Sequence, residues 1–296
     1  MKIIPPLIVT PTELTSNVAI TETEWTAGTY ETGVERYVGT DLYEVVAVPD
    51  TTDEPTEGAA KDPPTWIKLG KINRFKMFDF IIGEATEVAE GPIEVTVNFP
   101  VVVNAVGLFE VDATTVQVVV TDGVDVVYDK TETLIDFTGV NNWFQYFFRP
   151  YAVKNNVTFL DLPAYAGADI KVTASKSAGA VAIGEMIVGR MQEIGTTLIN
   201  FSFGIEDFSR KERDTFGNFT IVERRFAKTA NYDLFLDNNQ VNSTFAALAS
   251  VRATPAVYIG SEDMPETITL GFYRDFSTLR TGPVSSEMSL EIEGLV

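Results

Sequence analysis

The chain contains no cysteine and no histidine. Without cysteine there is no disulfide, no thiolate metal site and no cysteine nucleophile. Without imidazole there is no Ser-His-Asp or Cys-His catalysis and no histidine-ligated zinc, which removes the commonest hydrolase mechanisms. Long apolar runs are missing too: none approaches the roughly 20 residues of a spanning helix, so no membrane insertion is expected. The opening Met1-Lys2-Ile3-Ile4-Pro5-Pro6 lacks the apolar core and small-residue cleavage site of a secretory signal, which points to a soluble chain made in the cytosol. Positive charge is scarce, with 22 Lys and Arg against 42 Asp and Glu for a formal charge of −20. Such a surface repels phosphate backbones, and Arg210-Lys211 and Arg224-Arg225 are too short to form a basic patch, so no nucleic-acid partner is expected. Neither a P-loop nor a G-x-G-x-x-G segment occurs, and no cofactor is implied.

What is present is a chain of 296 residues, 45% hydrophobic, with room for two or three small domains that each bury a core. The fold class expected is mainly β, in four parts. Residues 1–24 form an extended arm around the short apolar run Leu7-Ile8-Val9. Residues 25–70 form a small, loop-rich β module with a strand at Tyr43-Glu-Val-Val-Ala-Val48 and a solvated loop over 50–58. Residues 71–195 alternate polar and apolar positions in Ile93–Phe99, Val116–Val120, Val124–Tyr128, Asn142–Phe148, Val157–Leu160, Ile170–Thr173 and Ala182–Gly189. Turn signals fall between these runs, among them Thr121-Asp122-Gly123, Thr138-Gly139 and Tyr165-Ala166-Gly167, so an antiparallel, jelly-roll-like sandwich is expected. Residues 196–296 read as an α+β domain with strands at Phe219–Glu223, Ala256–Ile259, Ile268–Tyr273 and Met288–Ile292. Its one main helix runs over Asn239–Arg252, capped by Asn238 or Asn239, with Val241, Phe245, Leu248 and Val251 or Arg252 on one face. Gly195 is a permissive hinge at the boundary.

Several clusters invite a functional reading. Trp143-Phe144-Gln145-Tyr146-Phe147-Phe148 suggests a ligand, but aromatics on strands serve core and cross-strand packing, which is the expectation here. Asp122-Gly123-Val124-Asp125 with Asp129 lacks the ordered oxygen ligands of a calcium loop and reads as a hairpin turn, leaving no metal site. Arg210-Lys211-Glu212-Arg213-Asp214 reads as a solvated charged turn, with an intersubunit contact through Arg210, Lys211 and Arg213 as the functional alternative. Two of the three tryptophans, Trp25 and Trp66, lie within about forty residues among glycine and proline. Flat aromatic side chains on a rigid β scaffold can dock the apolar face of a sugar ring, so Trp25, Tyr30, Tyr37, Tyr43 and Trp66 are candidate glycan-binding residues. The bland alternative is that Trp25, Tyr30 and Trp66 form the core of so small a module, leaving Tyr37 and Tyr43 more exposed.

Trp25, Tyr30, Gly33, Val34, Tyr43 and Trp66 are spaced so that the segment resembles small chitin- or cellulose-binding modules of the carbohydrate-binding family 5/12 type. It departs from that pattern where Gly33 is followed directly by Val34, without the usual Asp. Next, Leu69-Gly70-x-Ile72-Asn73-Arg74-Phe75-x-Met77-Phe78-Asp79 resembles a junction in tailed-bacteriophage virion proteins, where such a module precedes a β-sandwich. The opening Met1–Pro11, Asp161-Leu-Pro-Ala164, Ala182-Ile-Gly-Glu185, Phe208–Gly217 and the ending Leu290–Val296 are similar to segments of phage tail-associated proteins.

This resemblance implies a structural, non-enzymatic component of a phage virion, in the tail tip, baseplate or adsorption apparatus, assembled in the host cytoplasm. Its implied partners are other tail proteins and copies of itself, docked through residues 196–296, with host surface glycan as a second partner class. Two alternatives stay open. One is a glycan-degrading depolymerase using a carboxylate pair, the serious candidate among the carboxylate, Lys and Tyr chemistries that remain without histidine and cysteine. The other is a free lectin-like protein.

Overall fold

The computed structural model describes residues 1–136, 141–148, 152–213, 215–262 and 264–295, so the expected turn at Thr138-Gly139 and the acidic Asp214 lie outside the described residues. The chain is mainly β, and its strands pair antiparallel. It divides into two compact units that are not contiguous in sequence. One comprises Met1–Leu7, Val103–Gly107 and Ile187–Val296; the other comprises Ile8–Val102 and Leu108–Met186. This differs from the four consecutive parts expected: residues 25–70 do not separate from the strands that follow, and residues 1–24 are shared between the units.

In the unit containing Leu108–Met186, a five-stranded sheet runs in the order Asp125–Thr133, Thr115–Asp122, Asp169–Ser175, Ile93–Asn98 and Leu14–Ser16. Its sequence alternation becomes a buried face: Ile93, Val95 and Val97, then Val116, Val118 and Val120, then Ile170, Val172 and Ala174 all point inward. Asp122 pairs with Asp125 across Gly123-Val124, with Gly123 at φ +63°, so the supposed calcium loop is a two-residue hairpin turn.

A three-stranded sheet of Glu35–Val38, Asp41–Val45 and Trp66–Lys71 carries the small module. The six residues Asn73–Phe78 then form a 3-10 turn whose Phe75 and Met77 are buried.

The segment Trp143–Phe148 is a short helix, not the strand expected, and it packs no core. Its first turn explains the difference. Asn142 Oδ1 accepts the Gln145 N–H at 2.8 Å, and Gln145 Oε1 accepts the Asn141 N–H at 2.8 Å. Asn142 is thus a side-chain N-cap, with Gln145 reaching back one residue further to Asn141, and such capping favours helix initiation over strand.

The other unit is an α+β layer, as expected. Its sheet runs Gln192–Glu193, Lys2–Ile4, Ala256–Ile259, Ile268–Arg280, Ser285–Gly294 and Phe226–Asp237, with Thr196–Thr197 and Ser202–Asp207 side by side along the last edge. The N-terminal run is therefore no free arm: Ile3 and Ile4 are fully buried, and Lys2, Ile3 and Ile4 pair with Ile259, Tyr258 and Val257. The strand falls at Lys2–Ile4, ahead of the Leu7-Ile8-Val9 run, which is not a strand.

The helix Val241–Ser250 packs Leu248 and the following Val251 onto Ile3, Tyr232, Leu234, Tyr258, Leu290 and Ile292. Its buried face is Thr244 and Leu248, flanked by Val241. Phe245 lies outside that face, mostly exposed and edge-on to Phe276 with centroids 5.6 Å apart. Gly271 is required where two strands close up, since a Cβ there would meet the Glu293 carbonyl oxygen at 2.1 Å.

Candidate functional site

Four places carry chemistry, and the Trp25–Trp66 module comes first. Trp66 is fully buried, edge-on to Tyr30 with centroids 5.6 Å apart, and its Nε1–H donates to the Asp53 carbonyl at 3.1 Å. Tyr30 turns its hydroxyl inward, donating to the Thr26 carbonyl at 2.6 Å, while the Arg36 guanidinium lies 5.0 Å from its ring. Tyr43 is only 6% exposed and joins the same cluster with Val45. These three rings, with Val45, form the module core and so present no face to a sugar. That corrects the expectation that Tyr43 is among the exposed rings. Trp25 and Tyr37 are half-buried, with Trp25 packed against the cluster and its ring nitrogen buried without a partner.

The second place is a group of carboxyls that sequence reasoning missed. Glu185 is buried, and neither of its oxygens has a hydrogen-bond partner. Burial, then the charges of Asp79 and Glu110, push its pKa up to about 8, with the Phe80 backbone offsetting part of the rise. Burial also raises the pKa of Asp79, one of whose oxygens is buried and unpartnered. Phe80 and Glu110 both hold positive φ, at 61° and 51°, conformations that cost energy in non-glycine residues. The Leu69–Asp79 and Ala182–Glu185 segments thus converge on this group. Glu185 itself is out of reach of solvent and offers no acid to the glycosidic oxygen of a polymer, whereas Asp79 and Glu110 are partly exposed. Among the described residues, no three acidic side chains are grouped so as to hold a metal ion.

The third place is a projecting arm in the α+β unit. Ser202–Asp207 lies along Phe226–Asp237, and beyond it Arg210–Arg213 pairs with Phe219–Val222 as an isolated two-stranded ribbon. Arg210-Lys211-Glu212-Arg213 is thus a strand, not a turn. Arg210 pairs with Glu212 at 2.5 Å, Lys211 with Asp207 at 2.6 Å, and the Arg213 guanidinium lies 4.6 Å from the Phe219 ring. These exposed ion pairs contribute little to stability.

The apolar residues around them are the larger signal. Phe203, Ile205, Phe208, Phe219 and Ile221 are all exposed, and Phe216 is 90% exposed. From 202 to 226 every described residue is exposed except the half-exposed Glu206 and Ser209.

The chain matches no family model, no curated protein and no solved structure. What it does rests on the chemistry of its own surfaces.

The last place is the helix Trp143–Phe148, where Trp143, Phe144, Tyr146, Phe147 and Phe148 are all exposed. The sequence-level expectation that this cluster is core is therefore overturned. Among the described residues no helix is long and apolar enough to cross a membrane.

Proposed function

We propose that the protein is a structural subunit that works by assembly, docking through its 202–226 arm into a neighbouring copy or partner protein within a phage-tail-type particle. The observation that carries this reading is the arm's unburied apolar surface. A two-stranded ribbon is marginal alone in water, and one that exposes this many phenylalanine and isoleucine side chains gains stability when another protein covers it. The arm is also more basic than its surroundings. Residues 202–226 hold Arg210, Lys211, Arg213, Arg224 and Arg225 against Glu206, Asp207, Glu212, Asp214 and Glu223, five charges of each sign on a chain of net −20. A balanced arm meets the acidic surface of a next copy without the repulsion that the rest of the chain would bring. A projecting arm that fits a different surface of its neighbour makes a head-to-tail contact, the kind that closes into rings. The virion assignment rests on the resemblance of the Asn73–Asp79, Ala182–Glu185 and Phe208–Gly217 segments to those of phage tail proteins.

The test is sedimentation of the purified protein beside Phe216→Ser/Phe219→Ser/Ile221→Ser, three exposed positions whose change leaves the core intact. Oligomers in the parent and monomers in the variant support the reading. A parent that stays monomeric at every concentration and is absent from particles purified from producing cells overturns it.

A further inference from the structure

We infer that the 141–148 tip is a carbohydrate-binding site for a neutral sugar, independent of the assembly arm and of the Trp25–Trp66 module. Asn141, Asn142, Trp143 and Tyr146 line a shallow depression of about 570 Å³. The capping contacts between Asn141, Asn142 and Gln145 hold the first turn in place, so the ring positions are set before any ligand arrives.

Trp143 stacks on Phe147 with centroids 6.2 Å apart at 23°, while Tyr146 stands edge-on to Trp143 at 6.0 Å. With Phe147 supporting one indole face and Trp143 still 77% exposed, the opposite face is open to solvent. A flat, supported indole is the surface on which the apolar C–H face of a pyranose docks. Beside it, the side-chain amides of Asn141 and Asn142 offer donors and acceptors to ring hydroxyls. Asn142 Oδ1 is committed to the cap, which leaves its Nδ2 to donate.

The charge pattern chooses between occupants. The eight residues Asn-Asn-Trp-Phe-Gln-Tyr-Phe-Phe carry no charge, within a chain of −20. An anionic polysaccharide is repelled by the chain's net charge, and residues 141–148 contain no Lys or Arg to hold the rings at anionic headgroups. A neutral saccharide needs neither, and its mixed apolar and hydroxylated surface matches rings flanked by amides. Single-site affinity on so open a surface is weak, and repetition of the tip in an oligomer would raise it through avidity.

The experiment uses the full chain against a panel of neutral oligosaccharides of glucose, galactose, mannose and N-acetylglucosamine, read by tryptophan fluorescence. Only three tryptophans contribute; Trp66 is fully buried and Trp25 half-buried, so the larger part of the solvent-sensitive emission belongs to Trp143, and Trp143→Ala identifies it. A saturable blue shift with at least one saccharide is expected. Its affinity should weaken at least about tenfold in Trp143→Ala, followed by calorimetry, and several-fold in Asn141→Ala, with unchanged circular dichroism in both. Three results overturn the inference: no saccharide of the panel binding, binding that survives Trp143→Ala, or partition of the parent onto phosphatidylcholine vesicles in place of saccharide binding. Because the readout needs no oligomer, its failure is distinct from a failure of the assembly reading.

Discussion

Replacing Glu185 with glutamine should remove a pH dependence that the absence of histidine leaves unusually easy to see. Glu185 is buried with both oxygens unpartnered, and burial and the nearby acidic charges raise its pKa from 4.5 to about 8. The unfolded chain releases this proton near 4.5, whereas the folded chain holds it up to about 8. Between those limits the folded state binds one more proton than the unfolded state, so stability falls as pH rises and levels off beyond. The full fall is on the order of 5 kcal/mol, the free energy of holding a proton from 4.5 to about 8. For a unit of this size each kcal/mol moves the melting temperature by about 2–4 °C, so the parent should lose roughly 10 °C or more from pH 5 to 8.

Asp79, also raised by burial, adds to the same trend. The buried amino terminus, whose pKa burial lowers, opposes it but is unchanged in the variant. With no imidazole in the chain, few other groups titrate in this window. Glu185→Gln does not titrate, and its unpaired amide costs about 1–3 kcal/mol at every pH. Its melting curve should therefore be flatter, matching or falling below the parent near pH 5 and exceeding it at pH 8. Differential scanning calorimetry of both proteins at several pH values reads this directly. Parallel pH profiles, or a variant less stable than the parent at pH 8, would refute the reasoning.

Two further substitutions probe packing. Trp66→Ala empties the centre of the Tyr30–Tyr43–Val45 cluster and should cost about 3–5 kcal/mol, with limited proteolysis cutting first within residues 25–70. Resistance equal to the parent's would show that the ring is not core. Gly271→Ala drives a methyl into the Glu293 carbonyl 2.1 Å away and should destabilise the α+β unit by at least about 1–3 kcal/mol in urea, while Gly204→Ala, whose Cβ would meet only the Thr229 hydroxyl at 3.3 Å, has no such backbone clash. A Gly271→Ala midpoint no lower than that of Gly204→Ala would remove the steric argument.

The strands were legible because their apolar residues recur every second position, and the helix over Val241–Ser250 because its apolar positions follow helical spacing. The same period of two misleads in the arm. Phe203 with Ile205, and Phe219 with Ile221, alternate as cleanly as Val116 with Val118, yet the first four face water. Periodicity reports a strand and which residues share a face, but not whether anything covers that face. At 143–148 composition suggested a strand, whereas the decisive signal was the Asn142-x-x-Gln145 pair that caps a helix. Asp79 and Glu185 sit a hundred residues apart with no pattern linking them, so only the fold reveals that they share an environment.

The pairing of Lys2–Ile4 with Ala256–Ile259 also fixes an order of events during synthesis. Lys2–Ile4 is an interior strand of the α+β sheet, and it leaves the ribosome about 250 residues ahead of its partner Ala256–Ile259. Residues 8–102 and 108–186 can complete their own sheets while Lys2–Ile4 waits, two apolar isoleucines exposed. Ribosome-bound chains halted before residue 256 should leave Ile3 and Ile4 open to protease, and only chains long enough to present Ala256–Ile259 should shut that window.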